Sequence, residues 1–241
     1  MKKLLFAAIL SSSAFAQEPT VIGGTPADPV EFPASVYAST SNAWCSATVV
    51  GERSILIAAH CAKTGQRIDF TAGPNKYSAI CTRAAAYARN DTADWSLCLA
   101  DKKITGIPFE VVNTDPALVK VGDTLLLSGY GCTRSNGNGG NDGIYRTGNA
   151  KVTAIPSGTD NDIVTVGKVA LCYGDSGGPA FLETSPGKRV QVGINSRGDI
   201  SKTSYLSSTA TQSAVQFLLS WAAQKEQYIC GVHVQAEGCR D

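Results

Sequence analysis

What most constrains this chain is its punctuation. Short apolar or alternating runs recur along most of its length, among them residues 54–58, 95–99, 124–127, 163–166 and 190–194, and Gly, Pro, Asn and Asp separate them. Runs this short read as strands, and many of them with frequent turn residues between imply an all-β sandwich or barrel. Helical periodicity appears only towards the end. There Val215, Leu218, Leu219 and Ala222 stand at i, i+3, i+4 and i+7, with Thr209 or Thr211 as a candidate N-cap, which predicts one helix over residues 211–225. Residues 135–143, made only of Ser, Asn, Gly and Asp, cannot bury apolar surface and predict a mobile loop. Residues 112–122, with Asn113, Asp115 and Pro116, are the best linker between two halves.

The first residues are of a different kind. Lys2 and Lys3 precede a compact apolar stretch over residues 4–10, and Ala14-Phe15-Ala16 sets small residues where a signal peptidase reads. Residues 1–16 are therefore expected to be a secretory signal, and the protein to be extracellular or periplasmic. The remainder has no apolar run long enough to span a bilayer. A net charge of +1 over 241 residues gives no electrostatic reason to expect nucleic acid or an anionic membrane as partner.

Eight cysteines, Cys45, Cys61, Cys81, Cys98, Cys132, Cys172, Cys230 and Cys239, are an even set in a chain expected to be secreted, which suggests disulfides. There is no C-x-x-C pair, and His60 and His233 are the only histidines, so no zinc site is expected. The segment 69–80 has no pair of carboxylates for calcium. No metal and no cofactor is expected.

Three short segments carry chemistry. In Gly174-Asp175-Ser176-Gly177-Gly178-Pro179 a serine is followed by two glycines. A serine hydroxyl is a weak nucleophile until a base takes its proton, and glycines permit the tight turn that points N–H groups at a developing oxyanion. The same G-x-S-x-G also fits the nucleophile elbow of α/β-hydrolases, with Ser176, Asp199 and His233 in that chain order. That elbow needs a helix directly after the serine, however, and Gly-Gly-Pro resists one. Ala58-Ala59-His60-Cys61 ends an apolar run on a histidine, and Asp94 opens the alternating run Trp95-Ser96-Leu97-Cys98-Leu99. Each alone reads as structural, but together they stand in the order His, Asp, Ser. Asp91 is a nearby alternative carboxylate that lacks the following alternation.

With these residues in view, the chain resembles the trypsin/chymotrypsin-like serine proteases over nearly its whole length beyond the signal. Val21-Ile22-Gly23-Gly24 resembles that family's mature N-terminus, and Trp44-Cys45-Ser46-Ala47 with Ala58-Ala59-His60-Cys61 resembles its histidine region. Ser128-Gly129-Tyr130-Gly131 resembles the start of its second barrel. The resemblance implies two six-stranded antiparallel β-barrels with a C-terminal helix, the first over residues 21–112 and the second, with helix and tail, over 113–241. It implies a monomeric secreted endopeptidase acting on protein or peptide substrates through an acyl-enzyme. His60 would be base and then acid, Asp94 its orienting carboxylate, Ser176 the nucleophile, and the N–H groups of Gly174 and Ser176 the oxyanion hole. Ser196 matches the family serine bonded to the triad aspartate. A protease-like binding protein without activity is the alternative.

The same comparison exposes departures. In the family a new N-terminal amine, here that of Val21, turns inward to the aspartate before the nucleophile, here Asp175. Thr20 rather than Lys or Arg precedes Val21, so a propeptide over residues 17–20 would need another activating protease. Basic-specific members carry an aspartate at the position of Ala170, so the pocket of Ala170, Gly198 and Thr203 is expected to take apolar or uncharged side chains. A carboxylate from Asp199 reaching into it is the competing arrangement. Arg197 stands where many relatives have an aromatic residue. Cys45–Cys61 follows the family pairing. The partner of Cys172 expected after Gly198 is missing, so Cys132–Cys172 is expected instead, with Cys81–Cys98 and Cys230–Cys239 completing the set.

Overall fold

The computed structural model describes residues 21–41, 43–134, 137, 139 and 141–240; the expected signal and propeptide, and much of the Gly/Asn loop, lie outside them. A two-residue strand β1 (Thr25–Pro26) leads into β2 (Ser35–Ser39), β3 (Trp44–Gly51), β4 (Ser54–Ile57), β5 (Arg67–Ala72), β6 (Asn75–Arg83) and β7 (Ser96–Ala100). Strands β2 to β7 close an antiparallel barrel in the order β2-β3-β4-β7-β6-β5. Strand β5 shows the governing pattern: Ile68, Phe70 and Ala72 point inwards while Arg67, Asp69 and Thr71 face water.

The second barrel follows with β8 (Thr124–Gly129), β9 (Arg146–Ala154), β10 (Asp162–Val166), β11 (Pro179–Ser185), β12 (Lys188–Gly198) and β13 (Thr203–Ser208). Their order is β9-β10-β13-β12-β11-β8, pairing of β8 with β9 closes the ring, and β1 adds to β9 from outside. The expected two six-stranded antiparallel barrels are therefore present. Residues 112–122 are a structured connection, since Val112 lies in the first core and Val119 in the second.

Strand β3 is buried along nearly all its length because it is covered on both sides. Inside, Ala47 and Val49 fill the first barrel, while Ser46 faces the second barrel. Its N–H donates to the Ser176 carbonyl at 2.8 Å, its hydroxyl donates to the Gly174 carbonyl at 2.8 Å, and the same oxygen accepts the Tyr130 N–H at 3.0 Å. Trp95, on the first-barrel side, donates its indole N–H to the Ser208 carbonyl at 3.0 Å. The buried seam is thus held by hydrogen bonds as well as by packing.

The helix α1 spans Gln212–Lys225, with the Thr211 hydroxyl accepting the Ala214 N–H as N-cap and Glu226 in the left-handed conformation ending it. Its position agrees with expectation, and so does the burial of Leu218 and Ala222, but the buried face is turned away from Leu219 and towards Trp221. Ala214, Leu218, Trp221 and Ala222 are buried with Phe217 half-buried, whereas Leu219 is 44 % exposed. The bulky Trp221 selects the face, and small Ala214 lets it approach. This face packs on the core of the first barrel, not the second.

Beyond the helix the tail returns across the same barrel. The Cys230 N–H donates to the Val50 carbonyl and the Val112 N–H to the Cys230 carbonyl; the Phe109 N–H donates to Gly238 and the Arg240 N–H to Phe109. Four disulfides are formed: Cys45–Cys61, Cys81–Cys98, Cys132–Cys172 and Cys230–Cys239. Since Trp221 sits in the first core and Leu219 in solvent, Trp221→Ala should destabilise by about 3–5 kcal/mol and Leu219→Ala by about 0.5 kcal/mol or less, read by denaturant unfolding. Comparable losses would return the helix to the face expected from periodicity.

Candidate active site

Asp94 stands just before β7 and is 1 % exposed. A carboxylate that deep must be given donors, and three converge on it. Its Oδ1 accepts the backbone N–H of His60 at 2.8 Å; its Oδ2 lies 2.7 Å from His60 Nδ1 and accepts the Ser196 hydroxyl at 2.6 Å. An ionised carboxylate only accepts, so the imidazole proton lies on Nδ1 and Nε2 is left as an acceptor. His60 follows β4 through Ala58 and Ala59, the disulfide at Cys61 fixes the turn beyond it, and its side chain remains 35 % exposed. The trio Cys45, His60 and Cys61 is close enough to suggest a metal site, but both sulfurs are spent on their disulfide.

Ser176 is half-buried and its loop is fixed on every side. Its carbonyl accepts from Ser46, the Gly177 N–H donates to the Asn195 carbonyl at 2.8 Å, and the Gly178 N–H donates to Asp175 at 3.0 Å. The Asn195 amide donates to the carbonyls of Ser128 at 2.7 Å and Asp175 at 3.1 Å. Gly174 and Gly177 hold φ of 101° and 83°, which side chains rarely adopt. A Cβ on Gly177 would also lie 2.7 Å from Ile57 Cγ1 and 3.0 Å from Ala58 N, so Ser176 is carried against the chain that leads to His60. Among the described residues the N–H groups of Gly174 and Ser176 donate to no protein acceptor, while the Gly174 carbonyl is turned to Ser46.

Asp175 is fully buried behind this loop. Gly131 and Cys172 donate backbone N–H groups to its two oxygens at 2.8 and 2.9 Å, and no cationic side chain pairs with it among the described residues. Burial pushes its carboxyl up to about 7 against those hydrogen bonds. Gly129 and Gly131 make the room, since a Cβ at either would collide with the carboxylate. Val21 is also fully buried, in the second-barrel core with Val169 and Leu171, and Ile22 bridges Ala170.

Ala170 is buried beneath that bridge. Gly198 is exposed at the end of β12, where a Cβ would lie 2.6 Å from the Thr203 carbonyl, and Thr203 is half-buried opposite it. Ser204, which sequence reasoning passed over, accepts the Leu171 N–H at 3.0 Å and ties the segment after Ala170 to β13. Asp199 spends Oδ1 on its own loop, accepting from Ser201, Lys202 and Thr203 at 3.0, 2.8 and 2.8 Å. Against the effect of burial, these hydrogen bonds bring its carboxyl down to about 2. His233 is engaged in the tail, its Nδ1 accepting the Ile229 N–H at 3.2 Å. Ser176, Asp199 and His233 are therefore not brought together as a hydrolase triad, and Asp91 stays exposed while Asp94 holds the histidine.

Sequence reasoning also missed the roles of Ser46 and Asn195, and the ion pair between Arg197 and Asp162. No local pattern marks them, because each role depends on a distant partner.

Comparison with known proteins agrees with this geometry. A family model described as Trypsin matches residues 21–218. The chain is also similar to a trypsin-like protease of Streptomyces glaucescens, with 31 % identity over 210 residues, 78 % of this chain and 76 % of the relative. A chain with two antiparallel barrels, a histidine gripped by a buried aspartate, and a family match over most of its length belongs to the trypsin family and is a serine-type endopeptidase.

Proposed function

We propose that His60, Asp94 and Ser176 form the catalytic triad of a secreted endopeptidase that works through an acyl-enzyme and prefers apolar or uncharged side chains before the scissile bond. The observation that carries this is the double grip of Asp94 on His60, which fixes the proton on Nδ1 and leaves Nε2 unprotonated as a base. Ser176 loses its proton to His60 as it attacks the carbonyl carbon, and the resulting imidazolium is stabilised by Asp94. The proton then passes to the leaving amine, and water repeats the sequence to release the acid. The N–H groups of Gly174 and Ser176 receive the negative charge on the carbonyl oxygen. Residues 196–198 support the reading further: β12 pairs with β13 there, and past Ile194 it has left β11, so an extended substrate can lie along that edge.

Ser176→Ala should lower kcat by roughly 10⁴–10⁶-fold with an unchanged fold, His60→Ala by a similar factor, and the double variant little further, as expected of groups acting as a unit. A serine-reactive phosphonate should label the parent only. An unlabelled, inactive parent would favour a binding protein built on the protease fold.

Release of Val21 is proposed as the activation step, since its segment docks beside Ala170 and its amine would supply the cation that buried Asp175 lacks. While the chain continues ahead of Val21, Asp175 binds a proton up to about pH 7, far above its value in the unfolded chain. Its contribution to stability is then fully present at low pH and is lost as pH rises through about 7. The extended form should be largely inactive, and its melting temperature should fall between about pH 4 and 7, a fall reduced in Asp175→Asn to the part that buried Asp162 contributes, and reduced likewise once Val21 is free. Equal activity of both forms would reject this step.

Specificity follows from Ala170, Gly198 and Thr203 together with the engaged carboxylate of Asp199. A Lys or Arg side chain entering would shed its water and meet no opposite charge, at a cost of several kcal/mol, whereas an apolar one gains about 25 cal/mol per Å² buried. Matched peptides should be cut better after Leu or Met than after Arg. Ala170→Asp should raise cleavage after Arg, and Asp199→Asn should leave the preference unchanged. A parent that prefers Arg would overturn the pocket assignment.

A further inference from the structure

Behind the His60–Asp94 pair lies a second pair of charges that the triad does not use. Arg197 leaves β12 directly after Ser196, and its Nη2 forms an ion pair with Oδ2 of Asp162, the first residue of β10. Its Nη1 lies 3.4 Å from the Ser196 hydroxyl, which in turn lies 2.6 Å from Asp94. The guanidinium plane covers the ring of Tyr205, 5.0 Å from its centre. We propose that Arg197, held by Asp162, is a positioning residue that acts through the Ser196 hydroxyl to fix and tune the Asp94–His60 pair.

Hydrogen-bond polarity supplies the first argument. A guanidinium has donors only, so the Ser196 oxygen accepts from Arg197 and its single proton is left for Asp94. Without Arg197 the serine hydroxyl could turn elsewhere, and a buried aspartate would lose one of its three donors. The 3.4 Å separation is long for a hydrogen bond, so much of the effect is that of a fixed positive charge beside the pair.

The second argument is the burial of Asp162. It is 3 % exposed, its Oδ1 has no hydrogen-bond partner among the described residues, and burial pushes its carboxyl up to about 6 against the pull of Arg197. A buried ion pair seldom stabilises more than well-packed apolar residues would. Its worth is in orientation: Asp162 sets where the Arg197 fork points. The neighbourhood keeps that arrangement in place. Tyr87, in a single 3-10 turn at Ala85–Ala88 and stacked under Arg83, feels the charges of Asp94, Asp91 and Arg197 together. Asp160 and Asp91 face Asp162 from the neighbouring loops. Those loops are tied by Asn90 to the Thr159 carbonyl at 2.7 Å and by the Asn161 N–H to Thr92 at 3.0 Å.

This inference rests on the triad reading above, and the two are separable. The test is the pH dependence of kcat/KM with an uncharged peptide substrate between about pH 5 and 9, on enzyme made from the full chain and normalised by phosphonate titration so that only folded sites count. Arg197→Gln removes the positive charge beside the Ser196 hydroxyl and should move the acid limb up by about half a pH unit; Asp162→Asn leaves that charge uncompensated and should move it down by a similar amount. Arg197→Lys keeps the charge and should leave the limb near the parent. Limbs that stay in place, or that move the same way in the Gln and Asn variants, would show Arg197 to be packing alone and overturn the proposal. If Ser176→Ala is inactive while the limbs stay fixed, the network falls and the triad stands. Turnover surviving in Ser176→Ala would remove both.

Discussion

A carboxylate cannot be buried between two β-barrels unless both barrels contribute to holding it. Asp94 belongs to the first barrel and so do two of its donors, the N–H and the ring of His60; the third, the Ser196 hydroxyl, comes from the second. Stripping such a group of water costs several kcal/mol, and only this set of donors offsets it. The docking of the barrels and the tautomer of the histidine are thus one constraint. A shift of either barrel that frees Ser196 also loosens the imidazole.

The serine side of the site depends on smaller groups. Ser46 makes three hydrogen bonds across the seam to Gly174, Ser176 and Tyr130, and it can do so because Gly177 and Gly178 have no Cβ, which would collide with Ser46 at either position. Asn195 closes the other side by donating to the carbonyls of Asp175, in the Ser176 loop, and of neighbouring Ser128. The loop is therefore clamped by backbone contacts from both barrels, which leaves the Ser176 side chain unburdened by structural duty. The disulfides Cys45–Cys61 and Cys132–Cys172 reinforce the same region from either flank.

How much of this could be read from the chain alone follows from distance. Strand character was legible because it is local: β5 alternates within six residues. Barrel closure was not, since it depends on pairs such as Ala38 with Phe70, and it came only through the resemblance to a known family. The Ser176 segment was legible because its glycines state a backbone need at the same place as the chemistry. Asp94 alone was not, because its partner Ser196 is 102 residues away, and the Ser46–Gly174 bond spans 128. The helix was placed correctly and its face in part, with Leu218 and Ala222 buried as expected and Leu219 not, as a periodicity count weighs Leu219 like any apolar residue and overlooks how Ala214 admits Trp221. Asp199 was left open in the sequence, and its hydrogen bonds to Ser201, Lys202 and Thr203 become visible only in the folded turn.

The route of the C-terminal tail has a consequence for biosynthesis. Trp221, Ile229 and Cys230 complete the core of the barrel built from the earliest part of the described chain, and the strap from Cys230 to Arg240 hydrogen-bonds to Val50, Phe109 and Val112. Contacts of such sequence separation form slowly, and an emerging N-terminal half has no substitute for them. Closure of the first barrel is therefore tied to segments that lie more than a hundred residues further along the chain. The strap thereby makes the barrel that carries His60 and Asp94 dependent on the other end of the polypeptide, so a cut in the tail would be felt at the buried carboxylate through the shared core.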